Sequence, residues 1–514
     1  MKGQKKGQKR MRAIVLLAAA VSTLAAAAPV GAAVYSVTKT ADTLDNVCDA
    51  DCSLREAVVA ANASPGHDAI LLPAGTYTLT RGGRGEDQGA QGDLDLLGDV
   101  TLLGAGAGST VIDAARIDRV LHVAGGVTAE VQGVTLEGGL SVDSGGGAIL
   151  NNGRLTLAGV AVLANETQGV AFGGGIYTDG NEAVLTVRDS TLANNNASGG
   201  GGGAAVGGTA TFTNVTFSGN QSTGDFGGGL YIFSDGKADF NNVTIAGNSA
   251  AKRGGGVFAE SSAFIGLDQP EFRNSIIAGN TAVTADPDCS GSAVTGGYNI
   301  LGIGTGCFGF SAAFNDQVGT AAAPVNPGLG ALADNGGPVT TRALLAGSTA
   351  IDRGNPAAPG SGVNACETHD ARGAARPADG NGNGEARCDV GAFEVTGECV
   401  NGGSTLCLND GRFRVTAAWR TNQGQSGQGQ GVRLTDDSGY FWFFDPENIE
   451  VTLKVLNACT LTPGRFWVFA AGLTNVEVTL TVTDTASGQV KTYVNPQDRR
   501  FRPIFDTGAF ATCP

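Results

Sequence analysis

The heptapeptide Asn214-Val-Thr-Phe-Ser-Gly-Asn220 is one copy of a repeated unit, and the glycine triplet Gly227-Gly-Gly229 follows it. The unit returns almost unchanged at Asn242-Val-Thr-Ile-Ala-Gly-Asn248, again with a triplet behind it. Five such triplets occur from Gly145 onward, at spacings of 28, 28, 26 and 27 residues. A period of this length with short alternating apolar runs is typical of a solenoid in which each copy forms one coil.

The asparagine that closes each unit is predicted to be structural. Five copies place it three residues after the apolar run, and stacking of the coils would align these residues at one corner, where their amides can form a hydrogen-bonded ladder. A sugar-binding strip is the alternative interpretation of the same residues. The predicted ladder consists of Asn165, Asn195, Asn220, Asn248 and Asn280.

Composition agrees with many short strands joined by tight turns. Glycine makes up 82 of the 514 residues, and each glycine weakens a helix interior by about 1 kcal/mol. We therefore predict an all-β protein: a right-handed parallel β-helix with an N-terminal capping helix, plus a C-terminal β-sandwich. The predicted divisions are a signal peptide (1–33), a cap (34–98), the β-helix repeats (99–280), irregular last coils (281–395) and the sandwich (396–514).

The N-terminus has the pattern of a signal peptide. Six basic residues precede the apolar run Ala13–Ala20, and Gly31-Ala-Ala33 supplies the small residues of a cleavage site. A retained anchor would need about 20 apolar residues, whereas polar residues and a proline interrupt this one. We expect export to the cell surface or the medium, with no membrane span in the mature chain.

The net charge of the chain limits the classes of molecule that it is expected to bind. The net charge is −15, and removal of residues 1–33 would leave 27 Lys and Arg against 48 Asp and Glu. Such a surface repels phosphate backbones, so we expect no nucleic-acid partner. Anionic polysaccharides would be repelled too, unless a divalent cation bridges them.

The ten cysteines fall into local pairs, and an even number in an exported chain indicates disulfides. Proximity in the sequence predicts the pairs Cys48–Cys52, Cys289–Cys307, Cys366–Cys388, Cys399–Cys407 and Cys459–Cys513.

Two stretches resemble known bacterial families. Cys52-Ser-Leu-Arg-Glu-Ala57, followed by Leu72-Pro-Ala-Gly-Thr-Tyr77, resembles the exported proteins named for their CSLREA motif, which implies a β-helix. Asp334-Asn-Gly-Gly-Pro338, Asp370-Ala-Arg-Gly373 and Cys388-Asp-Val-Gly-Ala-Phe-Glu394 resemble the end of the choice-of-anchor Q proteins, whose β-helix precedes an attachment module. The glycine–asparagine repeats are also similar to those of chlamydial polymorphic outer-membrane proteins.

One loop has the residue spacing of a calcium-binding loop. Asp379-Gly-Asn-Gly-Asn-Gly-Glu385 places oxygen-bearing side chains at alternate positions between glycines. The predicted ligands are Asp379, Asn381, Asn383 and Glu385, with Asp389 closing the site. A glycine-rich turn without metal is the alternative, because Asn and Asp favour turns.

Catalytic signatures are missing from the repeat body. The histidines His67, His122 and His369 belong to three separate regions, with His122 expected on an outward face. A few charged residues of the repeats (Lys237, Lys252, Arg253, Asp225, Asp235 and Asp239) could serve a lyase, but solvated outer positions account for them. No catalytic residue is therefore predicted.

These observations favour an adhesin-like binding or structural protein that presents an extended surface to a glycan or protein. A polysaccharide lyase or glycoside hydrolase of the pectin-lyase-like fold is the alternative, and a plain structural spacer is a third. Aromatic residues, the usual sugar platform, are sparse in the body. Phe226, Tyr231 and Phe258 lie near adjacent glycine turns and could form a small strip, although we expect several aromatic rings to pack inside.

Overall fold

A computed structural model describes residues 31–260, 269–345, 347–381, 385–396, 399, 401–409, 411–462, 464–485 and 489–513. The predicted signal peptide lies outside the described residues except for its last three positions. The described chain is almost entirely β-structure and forms a parallel solenoid of about eight turns followed by two antiparallel sheets. Within the described residues, no helix has the length and apolar character needed to cross a membrane.

Three parallel sheets form the walls of the solenoid. Sheet 1 is the widest and contains Val34–Ser36, Asp68–Leu72, Gly75–Thr78, Val100–Gly104, Thr110–Asp113, Thr128–Gln132, Thr135–Glu137, Arg154–Ala158, Ala161–Leu163, Val184–Ala193, Thr209–Ser218, Lys237–Asn241, Thr244–Ala246, Glu271–Arg273, Ile276–Ile277, Val294–Gly297, Ile300–Leu301 and Gln317–Val318. Sheet 2 contains Leu94–Leu96, Leu121–Val123, Ile149–Asn151, Ile176–Thr178, Ala204–Val206, Leu230–Ile232, Val257–Ala259, Cys289–Ser292 and Cys307–Phe308. Sheet 3 contains Leu140–Val142, Glu166–Gln168, Asn196–Ala197, Gln221–Ser222, Ser249–Ala250 and Thr281–Ala282.

The first residue of each heptapeptide bends sheet 1. Asn214 and Asn242 both have φ 53°, and the equivalent residue of the next coil, Asn274, has φ 49°. Asparagine adopts this left-handed conformation more readily than other residues with a Cβ. The unit is therefore a strand, a bend and a second strand, and the coils stay in phase because the bend recurs at one position.

The predicted asparagine ladder is present and buried. The amide nitrogen of Asn195 donates to the oxygen of Asn220 at 3.0 Å, and the nitrogen of Asn220 donates to the oxygen of Asn248 at 2.9 Å. The other hydrogen on the Asn220 amide goes to the carbonyl of Leu192, one coil earlier, at 2.9 Å. The same arrangement links the other members, Asn165 to Asn195 and Asn248 to Asn280. The ladder ends on the Asp288 carboxylate, which accepts from Asn280 at 2.9 Å.

The glycine triplets allow neighbouring coils to approach closely. A Cβ on Gly228 would lie 2.4 Å from the carbonyl oxygen of Gly255 in the next coil. A Cβ on Gly229 would lie 2.6 Å from the Gly256 oxygen and 3.3 Å from the amide of Asn248. Glycine is needed here because any side chain would displace the ladder or separate the coils.

The motif Cys52–Ala57 covers the open end of the solenoid. Ser53 caps the helix Leu54–Ala63 through a capping box with Glu56, as the sequence predicts. Arg55 is fully buried, pairs with Asp42 at 2.7 Å and donates to backbone carbonyls of residues 89, 92 and 93. The helix thus supplies both apolar cover and hydrogen-bond donors to the first coil.

The described residues between 329 and 395, here named the covering segment, fold back over the bend of sheet 1. It begins with a short antiparallel pair, Leu329–Ala333 and Thr341–Leu344, and the 3-10 helix Ala312–Phe314 precedes it in the last coils. The bend asparagines bind its backbone: Asn214 donates to the His369 carbonyl at 2.8 Å. The parallel strands thus extend from residue 34 to residue 318, beyond both ends of the 99–280 body, and residues 329–395 pack beside the coils.

A buried ion pair stabilises the covering segment. The Arg376 guanidinium lies 2.6 Å from the Glu394 carboxylate, and both side chains are fully buried. Arg376 also donates to the carbonyls of Asp389 and Gly391, and Glu394 accepts backbone N–H groups of Ala378 and Asp389. Paired charges with this many hydrogen bonds meet the condition for burial.

The C-terminal part is a pair of antiparallel sheets, consistent with the predicted sandwich. One contains Leu406–Leu408, Phe413–Arg420, Ser426–Gln428, Glu477–Asp484 and Val490–Asn495, and the other contains Gln430–Arg433, Ser438–Trp442, Val451–Ala458, Arg465–Gly472 and Ile504–Phe510. Inward residues of both sheets, Phe413, Phe466 and Phe510 among them, form one apolar core. The predicted fold class is confirmed, and all five predicted cysteine pairs are joined as disulfides.

Asn220→Ala tests the role of the ladder. Truncation leaves the Asn195 amide and the Leu192 carbonyl without their buried partners, and each unmet group costs about 1–3 kcal/mol. We expect a loss of about 3 kcal/mol or more in the free energy of unfolding of the solenoid, measured by urea denaturation. Asn181→Ala, in an exposed turn, is the matched control and should stay within about 0.5 kcal/mol of wild type. Equal midpoints for the two variants would contradict the prediction.

Candidate functional site

The predicted calcium loop is only partly described. Asn383 lies outside the described residues, whereas Asp379, Asn381 and Glu385 lie within them and each has an interaction with the surrounding chain. The backbone N–H groups of Gly380 and Asn381 donate to the Asp352 carboxylate at 3.1 and 3.0 Å. This contact attaches the beginning of the loop to Asp352, at another position in the covering segment, and calcium binding by the loop stays a prediction.

Asp389 has a structural role instead of closing that loop. Its side chain is fully buried, and its two oxygens accept the backbone N–H groups of Asp352 at 2.7 Å and Val395 at 2.5 Å. Burial, together with the nearby Glu394 charge, raises the pKa of the Asp389 carboxyl well above its usual range. Both oxygens are therefore committed to holding the covering segment together.

The most distinctive surface is a group of aromatic rings on the outer face of sheet 2, here named the aromatic face. Its strands alternate, so that Leu230 and Ile232 point into the solenoid while Tyr231 points out. Tyr177 and Phe258 occupy the same outward column, in register with Ala205 and Tyr231. Loops at the strand ends add three further rings. The members are Phe172, Tyr177, Phe226, Tyr231, Phe233 and Phe258.

The rings of the aromatic face contact one another continuously. Phe233 lies at the centre, with its ring centroid 5.0 Å from Phe172, 4.7 Å from Tyr231 and 6.0 Å from Tyr177. Phe226 stacks on Phe258 at 4.4 Å. Five of the rings are half-buried and Tyr231 is buried, so one side of the cluster rests on the coils and the other faces solvent.

Glycines and a small residue make room for these rings. A Cβ on Gly145 would lie 2.0 Å from the Tyr177 ring, and one on Gly200 would lie 2.3 Å from the Tyr231 ring. Ala205, the outward residue of the coil between them, is fully buried beneath the cluster. Several repeated glycines therefore serve this surface as well as the turns.

Acidic groups border the aromatic face. The Tyr177 hydroxyl donates to Asp179 at 3.1 Å, and the Tyr231 hydroxyl bonds to Glu260. Burial is the first cause that raises the pKa of both phenols, and the adjacent carboxylates add to it. Lys252 pairs with Asp225 at 2.8 Å and lies 4.9 Å above the Phe226 ring. The border thus offers hydrogen-bond acceptors and one cation next to apolar rings.

The sequence predicted only part of this surface. It named Phe226, Tyr231 and Phe258 as a possible strip, but the expectation that several rings pack inside is wrong for the described aromatic residues of this face. The missed central ring is Phe233, which follows Tyr231 by two residues and so continues its outward alternation. The two-residue spacing from Tyr231 could have predicted that Phe233 points outward. It was missed because the strand ends at Ile232 and a turn follows.

The charged residues considered for lyase chemistry are dispersed. Lys237 and Asp239 lie on sheet 1, whereas Lys252, Arg253 and Asp225 lie beside sheet 2, where Lys252 is already paired with Asp225. Arg253 faces Asp286 at 3.9 Å. The described positions of these residues do not form one cluster.

A buried acidic cluster lies at the start of sheet 2. The Asp93 carboxylate pairs with Arg119 at 2.8 Å, and the Asp95 carboxylate bonds to Nδ1 of His122 at 2.9 Å. His122 points outward, as predicted. Burial raises the pKa of the Asp93 carboxyl, while the hydrogen bond to Asp95 is the largest cause that raises the pKa of His122.

This cluster also contains the one metal-compatible set found among the described His, Cys, Asp and Glu side chains. Ligand atoms of Asp87, Asp95 and His122 lie within 4.8 Å of one another. The second ring nitrogen of His122, Nε2, contacts the Asn152 side chain at 3.1 Å. Because protein groups already occupy both ring nitrogens, we assign His122 to an ion pair. Asp93 and Asp95 are fully buried, which keeps a polymeric substrate away from their carboxylates.

No protein-family model, curated protein or solved structure matches this chain. The resemblances based on the Cys52–Ala57 and Cys388–Glu394 motifs therefore stay predictions, and the arguments about function that follow rest on the geometry of the aromatic face.

The raised pKa of His122 predicts a pH-dependent contribution to stability. A histidine whose pKa is higher in the folded state stabilises fully below its unfolded pKa of about 6.5, and this contribution is lost as the pH rises through the folded value. We expect the stability advantage of wild type over His122→Gln to be larger at about pH 5.5 than at about pH 8.5, measured by urea denaturation with a chelator present.

Asn181→Ala, in an exposed turn, is the control, because it removes no titratable group. Its difference from wild type should change little over the same pH interval. An advantage of wild type over His122→Gln that grows toward alkaline pH would overturn the assignment.

Proposed function

We propose that this protein is an exported or cell-surface binding protein that holds a neutral glycan chain along its aromatic face. The observation that carries the proposal is the continuous cluster of six rings that forms the aromatic face, on the outer side of sheet 2 and its adjoining loops. Aromatic faces bordered by a few polar groups suit sugars, because the rings cover the apolar faces of the sugar while polar groups meet its hydroxyls.

The length of the aromatic face suits an extended ligand. From the Tyr177 coil to the Phe258 coil there are three intervals between neighbouring strands. At about 4.8 Å for each interval, the rings extend over roughly 14 Å along the solenoid axis. A linear oligosaccharide lying parallel to that axis would contact successive coils, as ligands of other repeat proteins do.

Charge supports a neutral ligand for this surface. Asp179, Asp225 and Glu260 lie at its border, and the chain as a whole carries a net charge of −15. Carboxylates accept hydrogen bonds from sugar hydroxyls but repel uronic acids and sulfated sugars. Acidic polysaccharides are therefore disfavoured on the aromatic face.

Export is part of the proposal and has separate support. The five disulfides are of the kind that persist in an oxidising compartment. The basic and apolar pattern of the first 33 residues has the order of a signal peptide. The motifs that resemble exported β-helix families add to this interpretation.

Two ring truncations test the proposal. Phe226→Ala and Phe233→Ala each remove part of the stacking surface, and we expect each to weaken binding to insoluble cellulose, chitin or β-1,3-glucan by about tenfold, or ~1.4 kcal/mol. The measurement is depletion of the protein from solution by each polysaccharide, with circular dichroism to confirm folding.

Phe308→Ala is the matched control, because Phe308 ends the last strand of sheet 2 and is 68% exposed away from the cluster. It should bind as wild type does. Failure of wild type to bind any of the three polysaccharides, or equal loss in Phe308→Ala, would contradict the glycan proposal. Release of soluble fragments during the incubation would instead favour the lyase or hydrolase alternative.

A further inference from the structure

A cavity of about 870 Å³ lies between the last coils, the covering segment and the outer face of one C-terminal sheet. Three arginines line it. Arg353 and Arg387 come from two positions in the covering segment, and Arg414 comes from the strand Phe413–Arg420. Serine, threonine, asparagine and glutamine side chains complete the polar lining. The volume is that of a site for a small organic molecule, typically about 300–1,000 Å³.

Arg414 is the residue that most needs a ligand. It alternates with the core residues Phe413 and Val415, so its side chain leaves the sandwich on the cavity side. Arg414 has no ion-pair partner among the described residues, and the one charge that shifts its pKa is that of another arginine, Arg372. Burial and this repulsion lower the pKa of the Arg414 guanidinium. Arg372 is itself paired with Asp370 at 2.7 Å, whereas Arg414 has no such partner among the described residues, and a partly desolvated cation is unfavourable unless an anion compensates it.

The other two arginines are also available to a ligand. The Arg387 guanidinium lies 5.2 Å from the ring centroid of Tyr298, and its described hydrogen bond uses only Nε, to the Gly354 carbonyl. Arg353 is exposed, and the described residues supply it with no ion pair. Guanidinium groups that keep terminal N–H groups free can bind a carboxylate or sulfate with two parallel hydrogen bonds.

The single carboxylate in the described lining is already satisfied. Asp316 accepts hydrogen bonds from the Asn299 amide at 3.0 Å, the Thr295 hydroxyl at 2.9 Å and the Ser311 N–H at 3.1 Å. It is buried and terminates a short polar ladder of the last coils. The cavity therefore has a positive lining within a protein of net charge −15.

Backbone strain occurs at the same place. Tyr298 lines the cavity and has φ 61°, at the bend position that Asn214, Asn242 and Asn274 occupy in earlier coils. A bulky residue in the left-handed region is an outlier, and such strain concentrates at functional sites. Here it places an aromatic ring under Arg387.

We propose that this cavity binds a small organic anion with two or more carboxylate or sulfate groups, of the size of an acidic disaccharide. The arginines would pair with the anionic groups and the polar lining would meet hydroxyls. The ligand of this cavity would be anionic, unlike the neutral glycan proposed for the aromatic face, and it would explain why an acidic protein has three arginines lining one cavity.

Isothermal titration calorimetry with three probes tests the proposal: digalacturonate, its neutral analogue galactobiose, and citrate. We expect digalacturonate or citrate to bind, at least about tenfold more tightly than galactobiose, and to weaken as salt is added. Binding of both anions indicates recognition of carboxylates alone, whereas binding of digalacturonate only indicates recognition of the sugar frame as well. Either result supports the site.

Arg414→Met supplies the decisive variant. It removes an unpaired cation without opening a cavity, so its melting temperature should equal or exceed that of wild type while anion binding falls by about tenfold or more. Arg414→Lys keeps the charge and should bind with intermediate affinity. The control Arg433→Gln removes an exposed arginine paired with Asp436 and should leave binding unchanged.

Three outcomes would overturn the proposal: no anion binding by wild type, equal affinity for galactobiose and digalacturonate, or unchanged affinity in Arg414→Met. Phe226→Ala should bind the anion as wild type does, and Arg414→Met should still bind insoluble glycans. These reciprocal controls separate failure of the cavity from failure of the aromatic face.

Discussion

The rest of this structure depends on the contact between the asparagine ladder and the glycine backbone opposite it. Each ladder amide has four hydrogen-bonding positions and no access to water, so it is stable only when the next coil supplies the same group at the same height. The third glycine of the triplet leaves the space that the amide needs, as with Gly229 beside Asn248. One substitution on either side would leave buried polar groups unpaired in two coils at once.

That constraint explains why the surfaces of the solenoid differ so much. The interior repeats closely, to the point that Phe212, Phe240 and Phe272 stack face to face in register. The outward positions are free to vary, because their side chains do not have to match a neighbour above and below. Along sheet 2 the outward column changes from Asp95 and His122 to Tyr231 and Phe258. Recognition is therefore expected on the positions that break the repeat.

Two polar networks built on arginine stabilise the solenoid, one at its first coil and one in the covering segment beside the coils. Arg55 satisfies three carbonyls at the first coil, and Arg376 with Glu394 satisfies carbonyls and amides of the covering segment. In both places the guanidinium is fully buried and pairs with a carboxylate. Arg414 departs from this pattern, since it is largely removed from water and has no carboxylate partner among the described residues. This contrast is the reason for proposing an anion in the cavity.

Periodicity determined the fold because a repeat of 26 to 28 residues with one asparagine corner allows few backbone routes. The ladder, the capping helix and four of the five disulfides were predictable for the same reason: each depends on residues a short distance apart or on exact repetition. The left-handed bend at Asn214 corresponds to an asparagine that recurs in the sequence. The sequence did not predict that this asparagine bends the sheet, because the strand after the bend resembles a continuation of the strand before it.

The functional surfaces depend on tertiary structure. The sequence by itself determined the coil, its ladder and the chemistry available at each position, since those follow from the spacing of neighbouring residues. Only the folded chain decided that Phe172 and Phe233, 61 positions apart, meet at 5.0 Å, and that Arg353, Arg387 and Arg414 line one cavity. The physical reason is that stacking and fold-back contacts join residues far apart in the chain, and no local pattern encodes which outward side chains will face one another.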